Sequence, residues 1–168
     1  MTVTFCGHSK LYNQTESISK WLDIILPALI EGGAATFYLG GYGDFDNLAA
    51  AAVRRQKTSY PNIEAILVLA YLNRDVDASR YDGTAYPPLE TVPPRYAIVR
   101  WNEWMVRKSD VVISGVTHGW GGAAKTLNYA KRQGKVIVQF PIQKNNCPAA
   151  SLQNLSSGIM LGTDQTMR

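Results

Sequence analysis

Along the chain, short apolar runs alternate with stretches in which apolar positions recur every three or four residues. Val3-Thr4-Phe5-Cys6-Gly7 is β-prone and ends in glycine, and the segment Ser17 to Ile30 follows with Ile18, Trp21, Leu22, Ile25 and Leu29 on one helical stripe. Ala35 to Leu39 reads as a second strand, punctuated by Gly40-Gly41-Tyr42-Gly43, and the alanine-rich Asp46 to Gln56 as a second helix. Ile63 to Leu69 is nearly continuous in apolar character, which suits a parallel strand covered on both faces. The spacing further predicts a helix over Ile98 to Lys108, a strand over Val111 to Ser114, a helix over Ala123 to Arg132 closed by Gly134, and a last strand over Val136 to Phe140. Repeated strand and helix alternation defines an α/β class: three layers around a mainly parallel central sheet, joined by right-handed crossovers. Strand order does not follow from the pattern.

Two regions break the rhythm. Tyr71 to Tyr96 carries Pro87, Pro88, Pro93 and Pro94 together with Tyr71, Tyr81, Tyr86 and Tyr96, a long connection that either covers a sheet edge or a dimer surface, or closes over a ligand. Residues 141–168 show weak periodicity and many small or polar side chains, and read as an irregular C-terminal extension to a domain spanning 1–140.

Composition narrows the class. With 168 residues, 46% apolar and 18% charged, the chain is expected to form one domain with a genuine core. It has no run near 18 uninterrupted apolar residues and no basic segment followed by a greasy one at Met1 to Lys10, so a membrane span and a secretory signal are not indicated and a cytoplasmic protein is expected. Cys6 and Cys147 lie at opposite ends of the chain, outside any metal or redox spacing. Seventeen Lys plus Arg against thirteen Asp plus Glu give a net charge of +4, which permits anionic ligands. The basic residues are dispersed, with only the short clusters Arg54/Arg55/Lys57 and Arg107/Lys108, so a nucleic-acid platform ranks low.

The strongest local chemistry lies at two glycine-bearing junctions between a strand and a helix. At the first, Gly40, Gly41 and Gly43 allow backbone amides to approach an anion at a helix start; Asp44 and Asp46 either cap that helix, accept from a ribose hydroxyl or coordinate a hydrated cation. The second runs from Ser114 to Thr126, where Gly121 and Gly122 admit phosphate, Thr117 donates a hydroxyl and Lys125 neutralises charge if it reaches the crevice. Both junctions are expected at the carboxyl edge of one sheet, where open α/β folds make ligand crevices. Neither matches the phosphate-loop or the Gly-x-Gly-x-x-Gly signature, which weakens ATPase and nicotinamide oxidoreductase assignments.

The only histidines, His8 and His118, each sit at a junction, where either hydrogen-bonds a ligand, moves a proton or plays a local role; two isolated ligands specify no metal site. Cys6 reads as a buried strand residue. In Arg100 to Asp110, Asn102 suits recognition of a base or sugar edge, while Glu103 is the candidate carboxylate for glycosidic-bond chemistry, alongside positioning and purely structural roles. Trp101, Trp104 and Met105 read as core.

Phe5-Cys6-Gly7-His8 at the first strand end, Leu39-Gly40-Gly41-Tyr42-Gly43 at the second, and Lys108-Ser109-Asp110-Val111-Val112-Ile113 before the late glycine turn resemble the SLOG superfamily. That superfamily holds DprA-like proteins and cytokinin-activating phosphoribohydrolases, and the resemblance, over Val3 to Phe140, points to its YpsA-like branch. It implies a Rossmann-like domain whose crevice, Gly7 and His8 included, binds nucleotides or their derivatives, as sensor or N-glycosidic hydrolase. Met105-Val106-Arg107-Lys108-Ser109-Asp110 resembles the end of the phosphoribohydrolase helix, but Trp101 stands where the catalytic arginine is expected. His118-Gly119-Trp120-Gly121-Gly122-Ala123-Ala124-Lys125 lacks the terminal glutamate of the Pro-Gly-Gly-x-Gly-Thr-x-x-Glu pattern.

The leading expectation is therefore a protein binding a small nucleotide, adenine-containing or ADP-ribose-like, with no established cofactor. The alternatives are an enzyme acting at a nucleoside N-glycosidic bond and a scaffold associated with single-stranded DNA. Homo-oligomer formation fits an apolar surface left by the long connection.

Overall fold

Residues 1–71 and 77–142 are described by the structure, a computed structural model. Cys147 and all but the first two residues of the C-terminal extension lie outside them. The strands β1 (Thr2–Gly7), β2 (Thr36–Leu39), β3 (Glu64–Val68), β4 (Gly83–Ala85), β5 (Val111–Gly115) and β6 (Val136–Gln139) form one sheet in the order β4-β3-β2-β1-β5-β6. Every pairing is parallel. Helices α1 (Thr15–Glu31), α2 (Gly43–Gln56), α3 (Pro94–Lys108) and α4 (Gly121–Arg132) cross between the strands.

The two-residue side-chain period of the strands splits the core between the two faces of the sheet. Val3 and Phe5 of β1, with Val111 and Ile113 of β5, pack with Ile18, Leu22 and Leu26 of α1 and with Phe45, Ala49 and Val53 of α2. Cys6 and Val112 point the other way, against Val106 of α3 and Ala124, Leu127 and Ala130 of α4. Cys6 Sγ lies 3.3 Å from the Ala123 carbonyl, and burial pushes its thiol pKa up to about 12, so it behaves as a core residue, as expected.

Several boundaries differ from the sequence expectation by a few residues, and one strand is added. Helix α3 begins four residues early because Pro94 occupies its first turn, where the missing N–H costs nothing and the ring presets φ. Helix α2 begins at Gly43, so the last glycine of the first junction is already helical. The long connection also holds an edge strand, β4, whose three residues are too few to display alternation; it extends the sheet beside Ile66 to Val68. Around it, Tyr71, Tyr86, Leu89 and Val92 pack with Val68, Trp101 and Met105. The described part of this connection covers the sheet edge.

Chain direction reverses beside β1. Successive crossovers carry β2, β3 and β4 to one side, whereas α3 returns the chain to place β5 on the other. A parallel sheet opens a crevice at the carboxyl ends of its strands at such a point. Gly7 and Gly115 stand opposite one another there, and the Phe45 ring lies over both: a Cβ at either would come within 2.2 Å of it.

Candidate functional site

The crevice is a cleft of about 410 Å³ at the carboxyl ends of β1 and β5. Phe5 to Lys10 and Tyr12 form one wall, the first turn of α2 contributes Tyr42 and Asp46, α3 contributes Trp101, Asn102 and Met105, and the turn into α4 supplies His118, Trp120, Gly121 and Gly122.

The turn into α4 is held by three elements. Gln139 Nε2 of β6 donates to the Val116 carbonyl at 3.2 Å, and Val116 N–H donates to Ser114 Oγ at 3.3 Å. His8 Nε2 accepts the backbone N–H of Thr117 at 3.1 Å and that of His118 at 3.4 Å. An acceptor at Nε2 places the neutral ring's proton on Nδ1. Burial, followed by the neighbouring His118, holds the His8 pKa below its ordinary value. The His8, His118 and Trp120 rings form a column, with centroids 3.5 Å and then 3.9 Å apart. His118 Nδ1 is buried without a hydrogen-bond partner among the described residues. At the end of the column, Trp120 is 73% exposed.

No side chain caps the first turn of α4. Gly119, Gly121 and Gly122 have nothing within 4 Å of the position a Cβ would take, and Gly121 has φ +88°. The helix start is therefore open to a ligand, with backbone N–H groups and the positive end of the helix dipole facing it. The first junction differs. A Cβ on Gly40 would meet Trp101 at 2.5 Å and Asp46 at 2.6 Å, one on Gly41 the Leu67 side chain at 2.9 Å, and one on Gly43 the Ser9 backbone at 2.5 Å. There the missing side chains make room for protein.

On the α2 side, Asp46 Oδ2 accepts the Tyr42 N–H at 2.9 Å, and burial raises the Asp46 pKa to about 7 against the lowering effect of that bond. Asp44 Oδ2 instead accepts Leu11 N–H at 3.1 Å, tying the β1 loop to α2. Lys10 and Tyr12 stand exposed at the mouth, and Tyr12, at φ +49°, is the sole non-glycine residue with positive φ among those described.

Of the sequence candidates, the cleft brings together Gly7, His8, Asp46, Asn102, His118, Gly121 and Gly122. Asn102 also donates within its helix to the Ile98 carbonyl at 3.0 Å. Gly40, Gly41, Gly43 and Asp44 lie behind its wall; Thr117 lines the opposite side of the turn, and Lys125 projects to solvent. Glu103 lies outside the lining, 2.7 Å from Arg100 and 3.9 Å from Arg107. Trp120, Tyr12 and Lys10 were not picked out by sequence. Their signal was weak: an aromatic between two glycines, and a basic and an aromatic residue just beyond a strand-ending glycine.

No family model matches the chain, and no curated protein matches it. Solved structures do. DNA processing protein A from Helicobacter pylori, studied for its single-stranded DNA binding mode, aligns with TM-score 0.58 at 16% identity over 86% of this chain and 67% of its own. DNA processing protein A (DprA) from Streptococcus pneumoniae aligns with TM-score 0.61 at 16% identity over 86% of this chain. The aligned part is 52% of that protein, about half its length. The molybdenum cofactor carrier protein MCP from Chlamydomonas reinhardtii gives TM-score 0.52 at 16% identity, over 82% of this chain and 74% of its own. The architecture is thus that of a Rossmann-like α/β domain. Its shape resembles the DprA-like and MCP folds, without singling out the YpsA-like branch.

Proposed function

We propose that the cleft binds one nucleotide unit, its phosphate at the start of α4 and its base against Trp120, and that the unit belongs to single-stranded DNA. The observation carrying this is the open first turn of α4 beside an exposed indole: uncapped backbone N–H groups, glycines with empty space in front of them, and an aromatic face at the end of a ring column. An anion is favoured at such a helix start, and a base–aromatic stack is worth about 1–3 kcal/mol. A strand is favoured over a free nucleotide because the cleft is open at Lys10 and Tyr12, so the backbone can leave it there. The likeness in fold to a protein with a described single-stranded DNA binding mode supports the same choice. Nucleic acid therefore ranks higher as a partner than the dispersed charge of the sequence implied.

A free nucleotide or ADP-ribose-like ligand is the second reading, favoured by the volume of the cleft, about 410 Å³, which suits one small ligand. Membership in the YpsA-like branch belongs with this second reading. Cleavage at the glycosidic bond has less support, since Glu103 stands outside the cleft lining and is ion-paired.

The test is titration of the protein with a ten-residue oligothymidylate and with thymidine monophosphate, followed by tryptophan fluorescence. Strand binding is expected to quench Trp120, and Trp120→Ala to weaken it by about ten- to a hundredfold. Equal affinity of wild type and Trp120→Ala for both probes sinks the base-stacking role.

A further inference from the structure

A second pocket, of about 450 Å³, lies along the outer face of α2. Asn47, Arg54 and Arg55 line it from the helix, and Arg80 and Tyr81 from the turn after β3. Positions 47, 51 and 54 follow the helical repeat, so one face of α2 forms its floor, and Ala50 and Ala51 keep that floor low.

Three guanidinium groups thus converge on one pocket. Arg55 is committed, with Nη2 2.7 Å and Nε 3.1 Å from Asp23 Oδ1. Arg80 meets Asp77 at 3.4 Å across an exposed contact, where pairing is weak. Arg54 is exposed and forms no ion pair with a described carboxylate, although it acts on Asp77 through its field. Among the described residues, positive charge therefore exceeds the negative charge of Asp23 and Asp77, and two planar forks point to solvent with room in front of them. That arrangement matches phosphate, which arginine grips through paired N–H groups.

The pocket adjoins the cleft. Asp46 lines the cleft while the next residue, Asn47, lines the arginine pocket. The turn Gly40 to Tyr42 is the ridge between them: Tyr42 faces the cleft, and the Tyr81 hydroxyl lies 3.7 Å from the place a Gly41 Cβ would occupy. Asp46 and Arg54 are eight residues apart on α2, about 12 Å along its axis. The arginine pocket therefore lies along α2 beyond the Asp46 wall of the cleft.

We propose that the arginine pocket is a second phosphate site, in which Arg54 and Arg80 hold the backbone of a single strand several nucleotides away from the unit in the cleft. This rests on the reading of the cleft as a nucleotide site. It makes the ligand an oligonucleotide, one strand running from the cleft to the adjoining pocket.

The experiment uses Arg54→Ala/Arg80→Ala, with Arg55 left in place because it ties α2 to α1. Both side chains are exposed, and circular dichroism with thermal melting checks the fold. The variant is expected to bind ten-residue oligothymidylate roughly tenfold more weakly, with the slope of log K against log salt flattened by about 1.4, while thymidine monophosphate binds as before. Arg54→Lys/Arg80→Lys is expected to restore most of the salt slope. Unchanged oligothymidylate affinity and slope in the alanine variant overturn the second site and leave the cleft reading intact. Loss of thymidine monophosphate binding in that variant also overturns it, since the pocket then belongs to the mononucleotide site. If oligothymidylate binding falls in the arginine variant but not in Trp120→Ala, the base-stacking role of Trp120 fails and the arginine site stands. If wild type binds neither probe, both fail.

Discussion

The imidazole of His8 lies face to face with that of His118, ring centroids 3.5 Å apart and planes 16° from parallel. Two stacked imidazoles tolerate at most one positive charge, and a protonated His8 loses the Nε2 acceptor that holds Thr117 N–H. The folded-state pKa of His8 is depressed, so its contribution to stability is fully present above its unfolded value, about 6.5, and is lost as pH falls through the depressed value. The turn 116–120 is expected to loosen in that range, with Trp120 fluorescence titrating. His8→Gln keeps an acceptor and abolishes the titration; the same curve in both proteins would show that another group is responsible.

Gly122→Glu separates stability from binding. The position has open space and no positive φ, so the side chain fits, and a carboxylate in the first turn of α4 is favoured by the helix dipole by about 0.3–1 kcal/mol. The melting temperature is expected to hold or rise slightly while affinity for oligothymidylate drops at least tenfold. Undiminished binding would place the phosphate elsewhere.

Gly115→Ala is expected to destabilise the domain by about 1–3 kcal/mol, because the new methyl overlaps the Phe45 ring and the core there has nowhere to relax. Denaturant unfolding measures this. Phe45→Leu in the same background is expected to recover part of the loss, giving a non-additive double-mutant cycle. Additive losses would mean that the ring and residue 115 act independently.

Asp46 makes stability fall with rising pH. Its pKa rises from the ordinary carboxylate range to about 7 on folding, so its contribution is fully present below about pH 4 and is lost as pH climbs through about 7. The slope is at most about 1.4 kcal/mol per pH unit. Asp46→Asn, which keeps an acceptor for Tyr42 N–H, is expected to flatten the stability profile between these limits. An unaltered profile would assign the pH dependence to other groups.

The fold was legible where periodicity was strong. The β1, β2, β3 and β5 runs and the α1 stripe are dictated by residues that face the core, and both glycine junctions do lie at the carboxyl edge of one sheet. Strand order was not legible, because nothing local says that α3 returns the chain past β1. The site was legible in part. His8, His118, Gly121 and Gly122 do meet in one cleft, but composition cannot separate a glycine that makes room for Trp101, such as Gly40, from one that faces open space, such as Gly122. Trp120 was missed because exposure is a tertiary property: the same residue type at position 101 is buried with its Nε1 donating to the Val68 carbonyl.

The pairing of β1 with β5 joins residues more than a hundred positions apart, and the cleft is built across that seam. On a ribosome, Phe5 to Tyr12 emerge early and wait through the synthesis of four further strands and three helices before the turn into α4 appears. A nascent chain stopped before Gly115 lacks the turn into α4, and the Phe45 ring has only Gly7 to rest on. The complete cleft is thus among the last features this domain acquires as it is made, closed only in chains that have already brought β5 home.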